Sequence, residues 1–153
     1  MPDTRALPHY IAGAAQVIIG GLLAAVTAHA TTQKTAWATA YVVLVGGVAQ
    51  IILGWAFTEL APRTKPKWSW SVFVAWNLGN LGVLLGQLTG SLLVTDVGSA
   101  VLAVGLILTL VATWRDAKNR DVPHPILLLG FRIVMVVLAI SIPIGVVLAH
   151  LRA

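Results

Sequence analysis

An all-α, polytopic membrane protein, folded as a five-transmembrane-helix bundle in one domain over residues 1–153, is what this sequence predicts. Three observations carry that expectation. Apolar stretches at 9–30, 36–60, 69–89, 96–114 and 125–150 are each about as long as the roughly 20 helical residues that cross about 30 Å of hydrocarbon. Hydrophobic residues make up 58% of the chain and charged residues only 10%, with mean hydropathy +0.90, whereas soluble domains carry about 25% charge. Basic residues also alternate between connectors: Arg5, Arg63, Lys65, Lys67, Arg115, Lys118 and Arg120 fall on one side, with only Lys34 and Arg152 on the other. By the positive-inside rule this predicts a cytoplasmic N-terminus and an external C-terminus. Trp68, Trp70 and Trp114 then sit at the inner boundary and Trp37 at the outer one, where aromatic belts form.

The first segment opens after Leu7-Pro8, with proline where a helix start tolerates it. Arg5, the apolar run and Ala28-His29-Ala30 imitate a secretory signal, but the run is about 20 residues, beyond the 7–15 of a signal core. A retained first helix is expected. The second segment ends at Pro62, and the Pro62–Lys67 loop is too proline-rich to continue it. The third runs from the tryptophans to Gly90. Thr95-Asp96 stands where an N-cap for the fourth belongs. The connector Arg115 to His124 is the most polar piece of the chain, and Pro143 in the fifth segment predicts a bend.

Small residues and amides are the expected glue between helices in lipid. Ala12, Gln16, Gly20 and Ala24 form one stripe; Gly46, Gln50, Gly54 and Thr58 a second; Ala75, Gly79, Gly82 and Gly86 a third, flanked by Asn77 and Asn80. These three faces are expected to make the tightest part of the bundle. At 1.5 Å per residue, Gln16, Gln50, Asn77 and Asn80 lie in the inner half or near the midplane, and Arg132 lies about 12 Å from His124 at a similar level. The outer half offers little comparable polarity beyond Gln87, Ser141 and Asp96. An arginine inside a span costs about 2.5–3.5 kcal/mol on insertion scales and usually faces a partner. Glu59 is the nearest acidic candidate, and snorkelling to lipid phosphate is the alternative. Gln16, Gln50, Asn77, Asn80 and Arg132 are therefore the candidate ligand-binding set, for a quinone, a lipid head group or a haem propionate.

Four histidines raise haem b as a further cofactor. His9 and His124 share the inner edge, His29 and His150 the outer, and paired imidazoles across a bundle can ligate haem iron. All four lie near helix ends, where water within reach is the plain expectation. The Ala15–Gly20 and Ala49–Gly54 segments, AQVIIG and AQIILG, echo one another but run in opposite directions. Six residues are too few to establish an inverted repeat of the transporter kind.

Catalytic patterns are missing from the sequence: there is no H-E-x-x-H, G-x-S-x-G, P-loop or dinucleotide fingerprint. With no cysteine, disulfides and thiolate chemistry are excluded. The calculated pI near 10.3 comes from dispersed loop charges, which argue for membrane topology rather than nucleic acid.

Tyr41 to Pro62, then Trp76-Asn77-Leu78-Gly79, then Gly98 to Arg115 form a succession of glycine-spaced helices with a basic exit. It resembles early helices of the catalytic subunits of haem-copper oxidases and nitric oxide reductases and of shorter related membrane domains, over about half the chain. Where that family carries a haem-ligand histidine, this sequence has Thr39 and Tyr41, so the metal function does not transfer. The resemblance implies a helical scaffold beside redox or quinone chemistry. The functional expectation is a small non-catalytic integral membrane subunit or accessory protein, packing against lipid and partner membrane proteins or its own copies. A respiratory assembly in the bacterial plasma (inner) membrane is its expected setting. A small oligomeric transporter or channel, and a haem- or quinone-binding electron-transfer protein, are the alternatives.

Overall fold

The computed structural model describes residues 3–118 and 125–151. His124, Arg120 and Arg152 lie outside the described residues. Helix α1 spans Leu7–Thr27, α2 Gln33–Tyr41, α3 Ala49–Glu59, α4 Pro66–Thr89, α5 Leu92–Lys118 and α6 Pro125–Leu151, with a π-helical segment Val42–Val48 joining α2 to α3. Taking α2, the π segment and α3 as one rod, five helices among the described residues are long and apolar enough to cross a membrane. No strand occurs among the described residues.

Local chemistry explains the ends. Thr32 and Thr35 start α2 as a reciprocal capping box, each backbone N–H donating to the other's hydroxyl at 2.9 and 3.2 Å. Pro66 opens α4 in its first turn, and Gly90 closes it in the left-handed region at φ 74°. That tight turn corrects one expectation. Helix α5 begins at Leu92, so Thr95 is not its N-cap. The Thr95 N–H and hydroxyl both donate to the Ser91 carbonyl at 3.1 Å, one turn inside the helix.

Two hairpins form the body of the molecule, each closed by glycines. In the first, α1 meets the π segment and α3: a Cβ on Gly13 would fall 2.9 Å from the Gly47 carbonyl oxygen, and one on Gly47 3.0 Å from that of Gly13. In the second, α4 meets α5: a Cβ on Gly79 would lie 2.7 Å from the Leu102 nitrogen, and one on Gly98 2.9 Å from the Gly79 carbonyl oxygen. The tightest contacts therefore do not unite the three expected faces. The glycines of α4 dock on α5, whose Gly98 supplies the matching hollow, and α1 uses Gly13 and Gly20 while Ala24 is exposed. A stripe read along one helix shows that it can be approached closely, not by which neighbour.

Leu53, Phe57, Val72, Trp76, Leu102, Leu106, Phe131 and Met135 fill the centre between α3, α4, α5 and α6. Helices α1 and α6 are peripheral: 11% of the most apolar window of each is buried, against 44% for the α2–α3 rod and for α5. Apolar side chains such as Ile11, Ile18, Leu22, Ile133 and Val137 point outward from them, the distribution suited to a lipid solvent rather than water.

At the basic end the connectors are tied together. The Arg63 N–H donates to the buried Asp116 carboxylate at 2.8 Å. Arg5 pairs with Asp3 and donates to the carbonyls of Pro62 and Thr64, the latter at 3.2 Å. The far end carries the Asp96–His150 pair, 3.5 Å apart.

Candidate functional site

Three amides from three helices meet inside the bundle. Gln16 of α1 donates through Nε2 to Gln50 Oε1 of α3 and to Asn77 Oδ1 of α4, both at 3.0 Å. Asn77 in turn donates to the Phe73 carbonyl at 2.8 Å. Gln16 reaches its partners because Gly46 lacks a side chain; a Cβ there would collide with the Gln16 amide. The two glutamines of the AQVIIG and AQIILG echo thus face one another across the antiparallel α1–α3 contact. Gln50 is fully buried, and its Nε2 has no partner among the described residues.

Beside this cluster the helix is widened. Val42–Val48 follows π geometry, with the Ala49 N–H bonded to the Leu44 carbonyl five residues back. Changing from i→i−5 to i→i−4 bonding passes over a carbonyl, and π turns of this kind concentrate at functional sites. Val45 lies at that change of register, and its carbonyl accepts the Trp76 indole N–H at 3.1 Å. Four valines and the Gly46-Gly47 pair, all weak α-helix formers, were the available signal in the sequence.

The widened turn borders a groove of about 400 Å³ between α1, α2 and α4. Gln16, Tyr41, Asn77 and Asn80 supply its polar lining, and Ile19, Leu23, Val42, Leu81 and Leu84 its apolar walls. Asn80 is 7% exposed and spends Nδ2 on the Trp76 carbonyl at 2.8 Å, so its Oδ1 is left without a partner. The Tyr41 hydroxyl is also buried and unpartnered, with its ring stacked on Trp37 at 5.0 Å. Apolar walls around a few convergent polar groups are the ordinary make-up of a small-molecule site. Tyr41 is the residue that sequence reasoning missed, because it was weighed only as the replacement for an absent histidine.

Arg132 does not join the amides. It is exposed on α6 and lines a separate groove with Leu110, Thr113, Trp114, Phe131 and Met135. It forms no ion pair among the described residues, with Glu59 or otherwise. Far-end polarity is richer than expected: Tyr41, Gln87, Thr95, Ser99 and Ser141 line a groove of about 270 Å³. Gln87 and Ser141 were expected there; the hydroxyls of Tyr41, Thr95 and Ser99 are the addition.

His9 overturns the expectation of four histidines in reach of water. Although it sits in the first turn of α1, it is fully buried between Phe57 and Phe73, with ring centroids at 5.7 and 5.4 Å. Its Nε2 lies 3.3 Å from the Ser69 carbonyl oxygen. Since a carbonyl only accepts, Nε2 carries the proton there, so His9 acts as a pin between α1 and α4. Its proposed haem partner His124 lies outside the described residues. His29 is exposed in the connector and His150 is engaged by Asp96. Among the described residues no group of three or more histidine or acidic side chains gathers to hold a metal.

Outside the spans, hydrogen bonding from Arg5 holds the Asp3 carboxyl below its ordinary range, and the same contact raises the Arg5 guanidinium. The molecule is thus an all-helical bundle with five potential membrane crossings and a polar groove set among them. No protein-family model, curated protein or solved structure matches the chain.

Proposed function

We propose that this chain is a small non-catalytic integral membrane subunit that holds a neutral, lipid-soluble molecule in the groove beside the π turn. The observation that carries this reading is the pair of unpartnered buried groups, Asn80 Oδ1 and the Tyr41 hydroxyl, in one apolar-walled groove. A buried acceptor left unpaired costs about 1–3 kcal/mol, which a bound group can recover. A ligand hydroxyl satisfies both needs, donating to Asn80 Oδ1 and accepting from Tyr41. A quinol offers that group on a ring, with an isoprenoid tail suited to Ile19, Leu23 and Leu84. The groove's described lining holds no cation, so neutral heads suit it better than a haem propionate. The resemblance of the second to fourth spans to oxidase and reductase subunits agrees with such a setting. The protein sits in the bacterial plasma membrane as a multi-pass bundle, N-terminus inside and C-terminus outside, alongside larger respiratory partners or copies of itself.

The test is titration of the purified full chain with a short-tailed quinone and its quinol, read by tryptophan quenching. Wild type saturates with the quinol. Asn80→Leu and Tyr41→Phe each weaken binding between about twofold and tenfold, the size of one net hydrogen bond. Equal binding by all three proteins, or none by wild type, rejects the reading; a bridging water in the groove gives that second outcome.

One observation favours a second reading, a small transporter. Tyr41 lines both the amide groove and the far-end groove, so polar lining extends along much of the bundle, as a pathway requires. Solute flux into vesicles, abolished by Tyr41→Leu, distinguishes it from static binding.

A further inference from the structure

We propose that Arg132 and the groove between α5 and α6 form a specific site for one anionic phospholipid, with the phosphodiester on the guanidinium and an acyl chain in the groove. This site is separate from the amide groove, with which it shares no lining residue.

Charge comes first. Arg132 is exposed and has no ion pair among the described residues. The described acids are committed elsewhere: Asp3 pairs with Arg5, Asp96 with His150, Asp116 accepts from Arg63, and Glu59 has an interaction of its own. An intramembrane cation without an internal counter-charge must draw one from outside the fold.

Depth comes second. Helix α6 has 27 residues, about 40 Å at 1.5 Å per residue, against about 30 Å of hydrocarbon. A centred α6 therefore starts about 5 Å outside the hydrocarbon. Arg132, seven residues in, lies about 5 Å beneath its surface. That is within the length of an arginine side chain, so the guanidinium reaches the phosphate level while its stem stays in the apolar layer. Arginine's planar fork matches phosphate oxygens in a bidentate pair, which an ammonium cannot reproduce.

Shape comes third. The groove below Arg132 has a volume of about 260 Å³, and its walls at Leu110, Phe131, Met135, Val136 and Ala139 are apolar. Trp114, 72% exposed, stands at the same groove, where an indole meets the head-group region. From Arg132 to Ala139 the helix rises about 10 Å, room for roughly the upper half of an acyl chain. A free anion would gain the charge contact and leave these walls unused.

The deciding experiment is native mass spectrometry of the full chain, exchanged against equal phosphatidylglycerol and phosphatidylcholine of identical chains. One tightly retained phosphatidylglycerol per chain is expected, preferred by about fivefold, the factor for one basic residue at a charged surface. Arg132→Gln should erase that preference, and Arg132→Lys, which keeps the charge, should keep part of it. Ala139→Phe should lower retention of both lipids by blocking the chain path without touching the charge. Inorganic phosphate should not compete. A preference that survives Arg132→Gln but disappears in Lys65→Gln/Lys67→Gln places the site on the basic loop and overturns the proposal. Competition by phosphate reduces it to a simple anion site, and replacement of lipid by an acidic partner protein overturns the choice of occupant.

Discussion

The two hairpins are closed by the same device and filled with different chemistry. Both rely on glycines that bring helix backbones together, Gly13 with Gly47 in one and Gly79 with Gly98 in the other. The α4–α5 seam carries hydroxyls, and these satisfy themselves along their own helix. Thr95 donates to the Ser91 carbonyl, Thr109 to Gly105 and Thr113 to Thr109, at 3.1, 2.9 and 3.0 Å. The α1–α3 hairpin carries glutamines, whose two-ended amides cannot all be satisfied by their own helix. They cross-link to neighbours and still leave the Gln50 nitrogen over. A dry seam and a seam with polar atoms to spare are thus both built on glycine. The candidate binding groove borders the second kind.

The largest expected effect breaks the dry seam. A Cβ at Gly98 would fall 2.7 Å from the Gly82 carbonyl carbon and 2.9 Å from the Gly79 oxygen, both backbone atoms that cannot step aside. Gly98→Ala should destabilise the fold by about 3 kcal/mol, the upper part of the overpacking range, measured by unfolding in mixed micelles. Gly105→Ala on the same helix is the control. Its nearest neighbour is the Ala75 Cβ at 3.5 Å, an ordinary contact, so a change within about 0.5 kcal/mol is expected. Equal losses at both sites would remove the distinction between a seam glycine and any helical glycine.

A smaller effect tests the polar seam. Gln16→Leu removes two cross-helix hydrogen bonds, at about 0.6 kcal/mol each for intramembrane pairs, so a loss of about 1 kcal/mol follows. Double-mutant cycles with Gln50→Leu and Asn77→Leu should each return a coupling of that single-bond size. Zero coupling in both would leave the amides as independent space-fillers and deprive the groove of its frame.

Much of this was legible in one dimension, for a definite reason. Span positions depend on local hydropathy, so α1, the α2–α3 rod, α4 and α6 appear within about three residues of where the sequence places them. The meeting of Gln16, Gln50 and Asn77 was legible too, because depth along a helix is simple counting. Pairing between faces was not. Gly79 reads equally well as a partner for α1 or α5, and only the hollow at Gly98 decides. Nor could counting show which way Arg132 faces: it lines a groove between α5 and α6 nearer the basic end, on another side of the bundle from the amides. His9 escaped for a similar reason: position in a first turn says nothing about Phe57 and Phe73 closing over the ring.

Trp76 sharpens the comparison at the point where the seams meet. Its ring belongs to the central core, while its indole N–H satisfies the Val45 carbonyl beside the π turn. Trp76→Phe keeps most of the apolar contact and leaves that carbonyl unpaired, at about 1 kcal/mol. Hydrogen exchange should then quicken at the amides of 46–50 and stay unchanged across the α4–α5 seam. Faster exchange in both places would mean that the indole acts through bulk alone.

The smallest effect lies outside the spans, at the Asp3–Arg5 contact that ties the N-terminal segment to the carbonyls of the 60–65 connector. Arg5 depresses the Asp3 carboxyl in the folded state. A depressed acid contributes stability above its unfolded value of about 3.9 and loses it as pH falls through the lower folded value. Asp3 is 26% exposed and Arg5 16%, so the contribution stays under about 1 kcal/mol, as for surface pairs. The wild-type advantage over Asp3→Asn should therefore be flat above about pH 5 and shrink toward zero below about pH 4. The Gln16→Leu deficit, which involves no titrating group, should not change over that interval. If acid erased both differences together, the basic-end clasp and the amide cluster would be parts of one cooperative unit, and the separation of the polar seam from the connectors would fail.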